Sequence, residues 1–466
     1  MRLLGRTLLH AALVGAACGV AGIVLLGGVE LVQLVVLEHL TGYQPLRAAG
    51  EQLVAHESPT PFRPWLLWIV PAIGALGGGL ISRFVPETQG GGTDATIDAF
   101  HQRGGVVRRR VIFGKTAASI LTLGTGGSGG REGPTIQIGG AIGSLVGRTL
   151  AVSSREQRVL LLAGAAAGIS AVFRTPLGAA LLAVEVVYRD DFESDALVPA
   201  VLASVISYSI IISVSGESTL FAHAPRYPFV PAHLPLYGLM VLVVALAAIV
   251  FVRTMAAVRK ASQALPLPVW MRPAVGGLAL GLLATGIIVA MRRFVDDSGQ
   301  GFGVLGSGYG AAQVAISGAS WLPLGWNGVL VLVLLGLVKI GATSLTVGTG
   351  GSAGDFGPSM VIGGLFGGAF GRAAHLLLSD PRIDPGAFAL VGMGAFYGGV
   401  ARAPLSSLVM VCEMAGSYDL LVPLMLAEGV AYVALRNHTI YHAQVPARRD
   451  SPAHRGEITV DALEGL

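Results

Sequence analysis

The chain has 466 residues, 53% of them hydrophobic and only 12% charged, with a mean hydropathy of +0.69. Soluble proteins carry roughly a quarter charged residues, so this chain lacks the polar surface to face water on all sides, which excludes a soluble globular class and places it in a membrane. The net charge of +4 does not point to nucleic acid: Arg103, Arg108, Arg109 and Arg110 form one short cluster and Arg448, Arg449 and Arg455 another, both flanking apolar runs as cytoplasmic loops do under the positive-inside rule.

In chain order, the start MRLLGRTLLHAALVGAACGVAG imitates a signal peptide, but the apolar run continues to Val36 without a polar cleavage region, so a retained first helix is expected. Runs long enough to span a bilayer, which takes about 20 apolar residues, are Leu8 to Val36, Pro64 to Phe84, Leu197 to Val214, Leu234 to Val252, Pro273 to Met291 and Val329 to Val347. Shorter or glycine-broken runs are Pro134 to Val146, Val159 to Val172, Pro176 to Val187, Pro358 to Phe370, Ala387 to Tyr397 and Pro404 to Met414. Short apolar helices opened by glycine and proline at matching places in two halves predict broken or tilted intramembrane helices, and irregular backbone at that depth must line a cavity or pack on protein. Residues 215 to 233, rich in Pro and His, read as an extramembrane link, and the chain after Arg436 as a polar tail. Cys18 and Cys412 lie far apart in apolar runs and indicate no disulfide framework.

The chain repeats itself. Gly124 to Arg148 and Gly348 to Arg372 align without a gap and share 14 of 25 residues, which establishes a duplication. Lys115 aligns with Lys339 in the same register; after a four-residue slip Arg174 and Glu185 meet Arg402 and Glu413. The Arg-rich segment 103 to 115 precedes the first copy, whereas residues 308 to 338 before the second hold no basic residue, so the copies are expected to face opposite ways as an inverted repeat.

Each copy runs from glycines through Gly-Pro into a helix-compatible segment, with Pro134 and Pro358 suited to a first turn. The N–H groups at 131 to 133 and 355 to 357 are then free at the positive end of a helix dipole, and such a terminus binds anions. Two of them facing each other would make a dehydrated anion site of partial charges, from which an ion can leave. Glu132 places a carboxylate beside that site, where Phe356 stands in the second copy. Ionised it can occupy the site and protonated it can swing away, so it is expected to gate; the bland alternative is a helix-capping glutamate. Gly124-x-Gly126-x-x-Gly129 also spells a dinucleotide fingerprint after the strand-like Ile120 to Leu123, but residues 145 to 155 contain no acidic residue where that reading needs one. No metal-ligand cluster or catalytic triad pattern is present, so neither an enzyme nor a cofactor is expected.

At these residues the chain resembles the CLC family of chloride channels and proton-coupled anion exchangers. Gly130-Arg131-Glu132-Gly133-Pro134 matches that family's GREGP motif and Gly354-Asp355-Phe356-Gly357-Pro358 its GxFxP motif, and the similarity covers about residues 10 to 455. The resemblance implies an all-α polytopic membrane protein, an inverted repeat of tilted and broken helices, in a bacterial inner membrane. It also implies a homodimer with one pore per subunit and chloride or a similar anion, protons and the lipid bilayer as partners. It carries the central anion site to the N–H groups of Asp355 and Phe356, the Tyr441 hydroxyl and a loop serine, and the outer site to the N–H groups of Arg131, Glu132 and Gly133, with Glu132 as the gate. For Tyr441 an interfacial aromatic anchor is the alternative. The division it suggests is residues 1–63 as N-terminal helix and connection, 64–214 as first repeat, 215–270 as linker and intervening helix, 271–440 as second repeat, and 441–466 as pore-tyrosine segment and tail.

Three residues depart from the family pattern. Gly91 stands where the serine loop needs a hydroxyl, so the central site is expected to be wider, wetter or weaker, which puts chloride over nitrate in doubt. Val186 occupies the place of an inner proton-passing glutamate, with Glu185 beside it expected to be structural like its mate Glu413. Asp355 brings a carboxyl where an apolar side chain is usual; either it faces water or a basic partner, or it is held neutral. The CBS domains common in the family are not expected. On Val186 alone, passive proton-gated conduction stands ahead of proton-coupled exchange. Nitrate or fluoride transport stands behind both, fluoride because Pro134 matches the chloride branch, and a non-transporting receptor or scaffold is the rival from another class.

Overall fold

With no water in a bilayer core, backbone N–H and C=O groups must pair within the chain, and a sequence of apolar runs answers with helices. The structure, a computed structural model, describes residues 2–51, 60–221, 224, 226–291 and 301–454. These form sixteen α-helices, one π-helical stretch (Gln33–Leu40) and several short 3-10 turns; apart from two isolated bridges the described residues contain no β-structure. Residues 455–466, with Arg455, lie outside the described residues.

The helices are α1 (Arg2–Val32), α2 (Val70–Phe84), α3 (Thr93–Gln102), α4 (Arg110–Gly124), α5 (Glu132–Thr149), α6 (Ser154–Phe173), α7 (Pro176–Glu185) and α8 (Ser194–Ser215). After the link follow α9 (Leu234–Ala264), α10 (Arg272–Met291), α11 (Tyr309–Ser317), α12 (Trp326–Val347), α13 (Phe356–Leu378), α14 (Pro385–Ala401), α15 (Pro404–Ala415) and α16 (Leu421–Ala434). Among the described residues eight helices are long and apolar enough to cross a membrane. The six runs expected to do so are all among them. The other two, α6 and α13, were expected to be too short; they run to 20 and 23 residues.

Their glycines explain the difference. A Cβ on Gly139 of α5 would lie 2.1 Å from the Gly164 carbonyl oxygen of α6, and one on Gly164 would lie 2.1 Å from that of Gly139. The second half repeats the crossing, with Gly363 of α13 at 2.3 Å from the Gly392 oxygen of α14. In a membrane, where apolar side chains gain nothing by leaving lipid, small residues that let backbones touch hold helices together. Glycine here marks contact and not breakage. The strand-like Ile120 to Leu123 lies inside α4, which removes the structural context a dinucleotide fingerprint requires.

The halves are related by a local two-fold, seen in exchanged contacts. Ser119 meets Ser352 at 2.9 Å, and their repeat mates Thr343 and Ser128 meet at 3.2 Å. Glu185 accepts from the N–H groups of Leu405 and Ser406, while Glu413 accepts from those of Leu177 and Gly178. Each carboxylate thus caps the mate's short helix, which bears out the structural reading of Glu185. On the axis itself, the equivalent residues Gly130 and Gly354 exchange N–H to C=O bonds of 2.7 and 2.8 Å as an antiparallel bridge. The two copies run in opposite directions, as the uneven distribution of arginine predicts. Buried Lys115 and Lys339 repeat each other too, each donating to two carbonyls of the loop before α3 or α11 (Thr88 and Gly90; Val304 and Gly306).

Exposed leucines and valines run along α1 (Leu9, Leu13, Val20, Val24, Leu31) and α9 (Leu239, Leu242, Leu246, Val250), the stripes that face lipid. The basic clusters gather on one side: Arg103 pairs with Asp98, Arg108 with Glu87, and Arg155 and Arg448 share Asp195. The positive-inside rule makes that side cytoplasmic. The polar stretch after Arg436 packs against it: Gln444 donates to the carbonyls of Val186 and Ala401, His101 bonds Ser451, and His454 bonds Glu193.

Candidate functional site

The antiparallel bridge brings the starts of α5 and α13 together. Arg131 and Asp355 are the N-cap residues, Glu132 and Phe356 the first helical ones, and Pro134 and Pro358 fall in the first turns as expected. Gly133 packs so tightly that a Cβ would lie 2.5 Å from the Gly91 oxygen and 3.0 Å from the Gly354 Cα. Both glycine loops and the loop before α3 therefore meet at one place.

Glu132 is fully buried, and its carboxylate reaches across to the other helix start. Oε2 accepts the Gly357 N–H of α13 at 3.3 Å and Oε1 accepts the Tyr309 hydroxyl at 2.7 Å. Gly130 leaves the space this needs, since a Cβ there would lie 1.7 Å from Oε2. The carboxyl group is thus seated on the N-terminus of the opposite copy, beyond what capping its own helix requires. Phe173 and Phe221 pack edge-on against Tyr309, Tyr397 packs edge-on against Phe356 and Phe173 lies tilted against it, an aromatic collar beside the carboxylate. On the far side from the basic clusters, the Arg131 side chain turns away to pair with Glu51, which also accepts from Ser307.

Below this lies a second polar cluster. The hydroxyls of Tyr441, Tyr397 and Thr93 are buried within reach of one another and have no hydrogen-bond partner outside their own group. Asp355 Oδ1 is also unpartnered and lies 3.7 Å from where a Gly91 side chain would begin. Buried polar atoms are nearly always bonded, so a group of them that converges beside helix N–H groups has the form of an anion-binding site. Asp355 also lines a cavity of about 270 Å³ with Arg259, Lys260, Thr439 and His442. Basic residues thus stand beside it, while its Oδ1 remains buried, so both surroundings expected for it meet at this residue.

Residues 73–436 match the family described as voltage gated chloride channel. The chain belongs to the CLC family. A putative chloride channel protein ClcB-like from Ralstonia nicotianae is 30% identical over 397 residues, 83% of this chain and 86% of that one. The H(+)/Cl(-) exchange transporter ClcA of Vibrio campbellii is 31% identical over 378 residues, 79% and 76% of the two chains. Among solved structures, a slow cyanobacterial Cl-/H+ antiporter superposes with a TM-score of 0.74 at 24% identity, covering 92% of this chain and 94% of that one. A CLC-type fluoride/proton antiporter does so with 0.74 at 20%, covering 95% and 98%. The protein is therefore an integral membrane anion transporter with the CLC fold.

Against the CLC expectations, Glu132, Gly133, Gly91, Asp355 and Phe356 converge, and Tyr441 joins them as a buried residue of the core. Val186 ends α7, buried, with its carbonyl held by Gln444.

Sequence reasoning missed Tyr309, Tyr397 and Thr93 as site residues. Tyr309 had a signal: Gly92-Thr93 and Gly308-Tyr309 occupy the same step, each glycine left-handed with φ of 98° and 87° and each opening a short helix. The gapless register fails there because the chain between this step and the paired lysines is longer in the second half. Removing its hydroxyl by Tyr309→Phe should leave the carboxylate short of one donor, about 1.5–3 kcal/mol for a bond to a charged group. Since that bond favours the ionised, seated form, the pH of half-maximal chloride flux should rise by about one to two pH units, read from vesicle flux across a pH series.

Proposed function

We propose that the protein exchanges chloride for protons across a bacterial inner membrane, as a homodimer with one pore per subunit. The supporting observation is the Glu132 carboxylate held by Gly357 N–H and the Tyr309 hydroxyl, a place where either this tethered anion or a free one can sit. For chloride to replace it, the carboxylate must leave as the neutral acid, so filling the site and taking up a proton are linked events. The names of similar proteins lean the same way, including the exchange transporter of Vibrio campbellii. This revises the preference for passive conduction drawn from Val186: a gating carboxylate serves either reading, and one apolar residue at the end of α7 weighs less than the exchangers among the similar proteins.

The test is reconstitution into vesicles with an imposed chloride gradient. Protons should be driven uphill until the two gradients balance, and their flow should stop when chloride is replaced by an impermeant anion. Dissipation of chloride with no proton movement would return the reading to a passive channel. Substituting nitrate or fluoride for chloride in the same vesicles ranks the anions, and the mass of the detergent-solubilised protein tests the dimer.

A further inference from the structure

Asp355 contributes a backbone N–H to the start of α13, yet its side chain is the less usual feature. The carboxyl sits at the one point of the central cluster where a hydroxyl is missing. A side chain on Gly91 would begin 3.7 Å from Asp355 Oδ1, an ordinary contact distance, and that oxygen has no hydrogen-bond partner. Near it lie the hydroxyls of Thr93, Tyr397 and Tyr441, each at most 2% exposed and without a hydrogen-bond partner outside their own group. On its other side Asp355 lines the cavity of about 270 Å³ with Arg259, Lys260 and His442, which sets a basic vestibule beside it. The charged and titratable groups that face it are Asp94 of α3, Lys115 of α4, Glu132 of α5, Arg259 and Lys260 of α9, Tyr397 of α14, and Tyr441 and His442 of the segment after α16.

A carboxyl group has two opposite effects on a nearby anion. Ionised it only accepts and repels; protonated it gains an O–H donor. We propose that Asp355 is a second, inner proton-carrying gate, whose neutral acid donates to the central anion in place of the side chain that Gly91 lacks. This deepens the exchange reading and rests on it. One proton passes from vestibule water to the Asp355 carboxylate as one anion settles, and returns to the vestibule as the anion leaves; no other bond forms or breaks. Arg259 and Lys260, which line the cavity with it, gather anions to the site.

The experiment measures chloride binding calorimetrically in detergent across a pH series, in Glu132→Gln protein so that the outer carboxylate no longer titrates. Chloride Kd should weaken about tenfold per pH unit on the alkaline side of the Asp355 titration, as linkage to one proton requires. Adding Asp355→Asn, of similar size and with a permanent N–H donor, should flatten the profile; adding Gly91→Ser instead should keep chloride bound at alkaline pH, because the hydroxyl then needs no proton. Each variant is first checked for a single dimeric peak and a cooperative thermal transition. A flat profile in Glu132→Gln protein, or a slope that survives Asp355→Asn or Gly91→Ser, overturns the proposal. Failure of the unaltered protein to move chloride in vesicles would instead overturn the exchange reading, so the two failures are distinguishable.

Discussion

Glu132→Gln protein in vesicles is expected to carry chloride at a rate nearly independent of pH and to carry no protons at all. Glutamine keeps the size of the side chain: its amide oxygen can accept the Gly357 N–H in the place of Oε2 and its NH2 can donate to the Tyr309 hydroxyl oxygen in the place of Oε1, so both contacts and the helix starts can persist. What it loses is the ability to alternate between a seated anion and a neutral acid. A chloride gradient that drives protons uphill in the unaltered protein should drive none in the variant, a complete loss and not a graded one. Chloride flux in the unaltered protein should rise on acidification, because protonation unseats the carboxylate, while the variant's should stay level. Residual uphill proton movement in Glu132→Gln vesicles would show that protons travel by a route that omits this residue.

The second large effect is on folding. Gly139→Ala should cost about 3 kcal/mol or more, the upper range for an overpacked core, because its methyl carbon would sit 2.1 Å from the Gly164 oxygen and neither atom belongs to a side chain that can swing aside. Gly363→Ala, its repeat mate at 2.3 Å from the Gly392 oxygen, should cost a similar amount. Gly286→Ala in α10, where a Cβ meets nothing within 4 Å, is the control and should leave the midpoint unchanged or slightly raised. Thermal unfolding in detergent checks all three. If Gly139→Ala melted with the control, these contacts would not be what holds α5 to α6.

These expectations show why parts of the molecule were legible before any coordinates and others were not. The inverted repeat was readable because copying preserves register: once Gly130 aligns with Gly354, a two-fold makes them partners. Glu132 stood out because a carboxylate at a helix start within an apolar run has few structural uses. The glycines of α6 and α13 misled, because helix propensity in water counts glycine as weak while a crossing between membrane helices selects it. Tyr397 and Thr93 could not be chosen from sequence, since a hydroxyl in a helix is commonplace and their distinction, burial without a partner outside their own group, exists only in three dimensions. Gly91 was noticed as a loss; that its empty place adjoins the Asp355 carboxyl required the two loops to be brought together.

The exchanged caps carry a consequence for biogenesis. Glu185 closes the start of α15 and Glu413 the start of α7, so a nascent chain released from the ribosome as far as α8 holds one acid meant for a helix not yet made and one helix whose acid lies more than 200 positions downstream. The first half must therefore wait, incompletely sealed, until its counterpart is synthesised. Cut at the link and produced as two polypeptides, the halves should be degraded when made singly and accumulate only when made together in one cell.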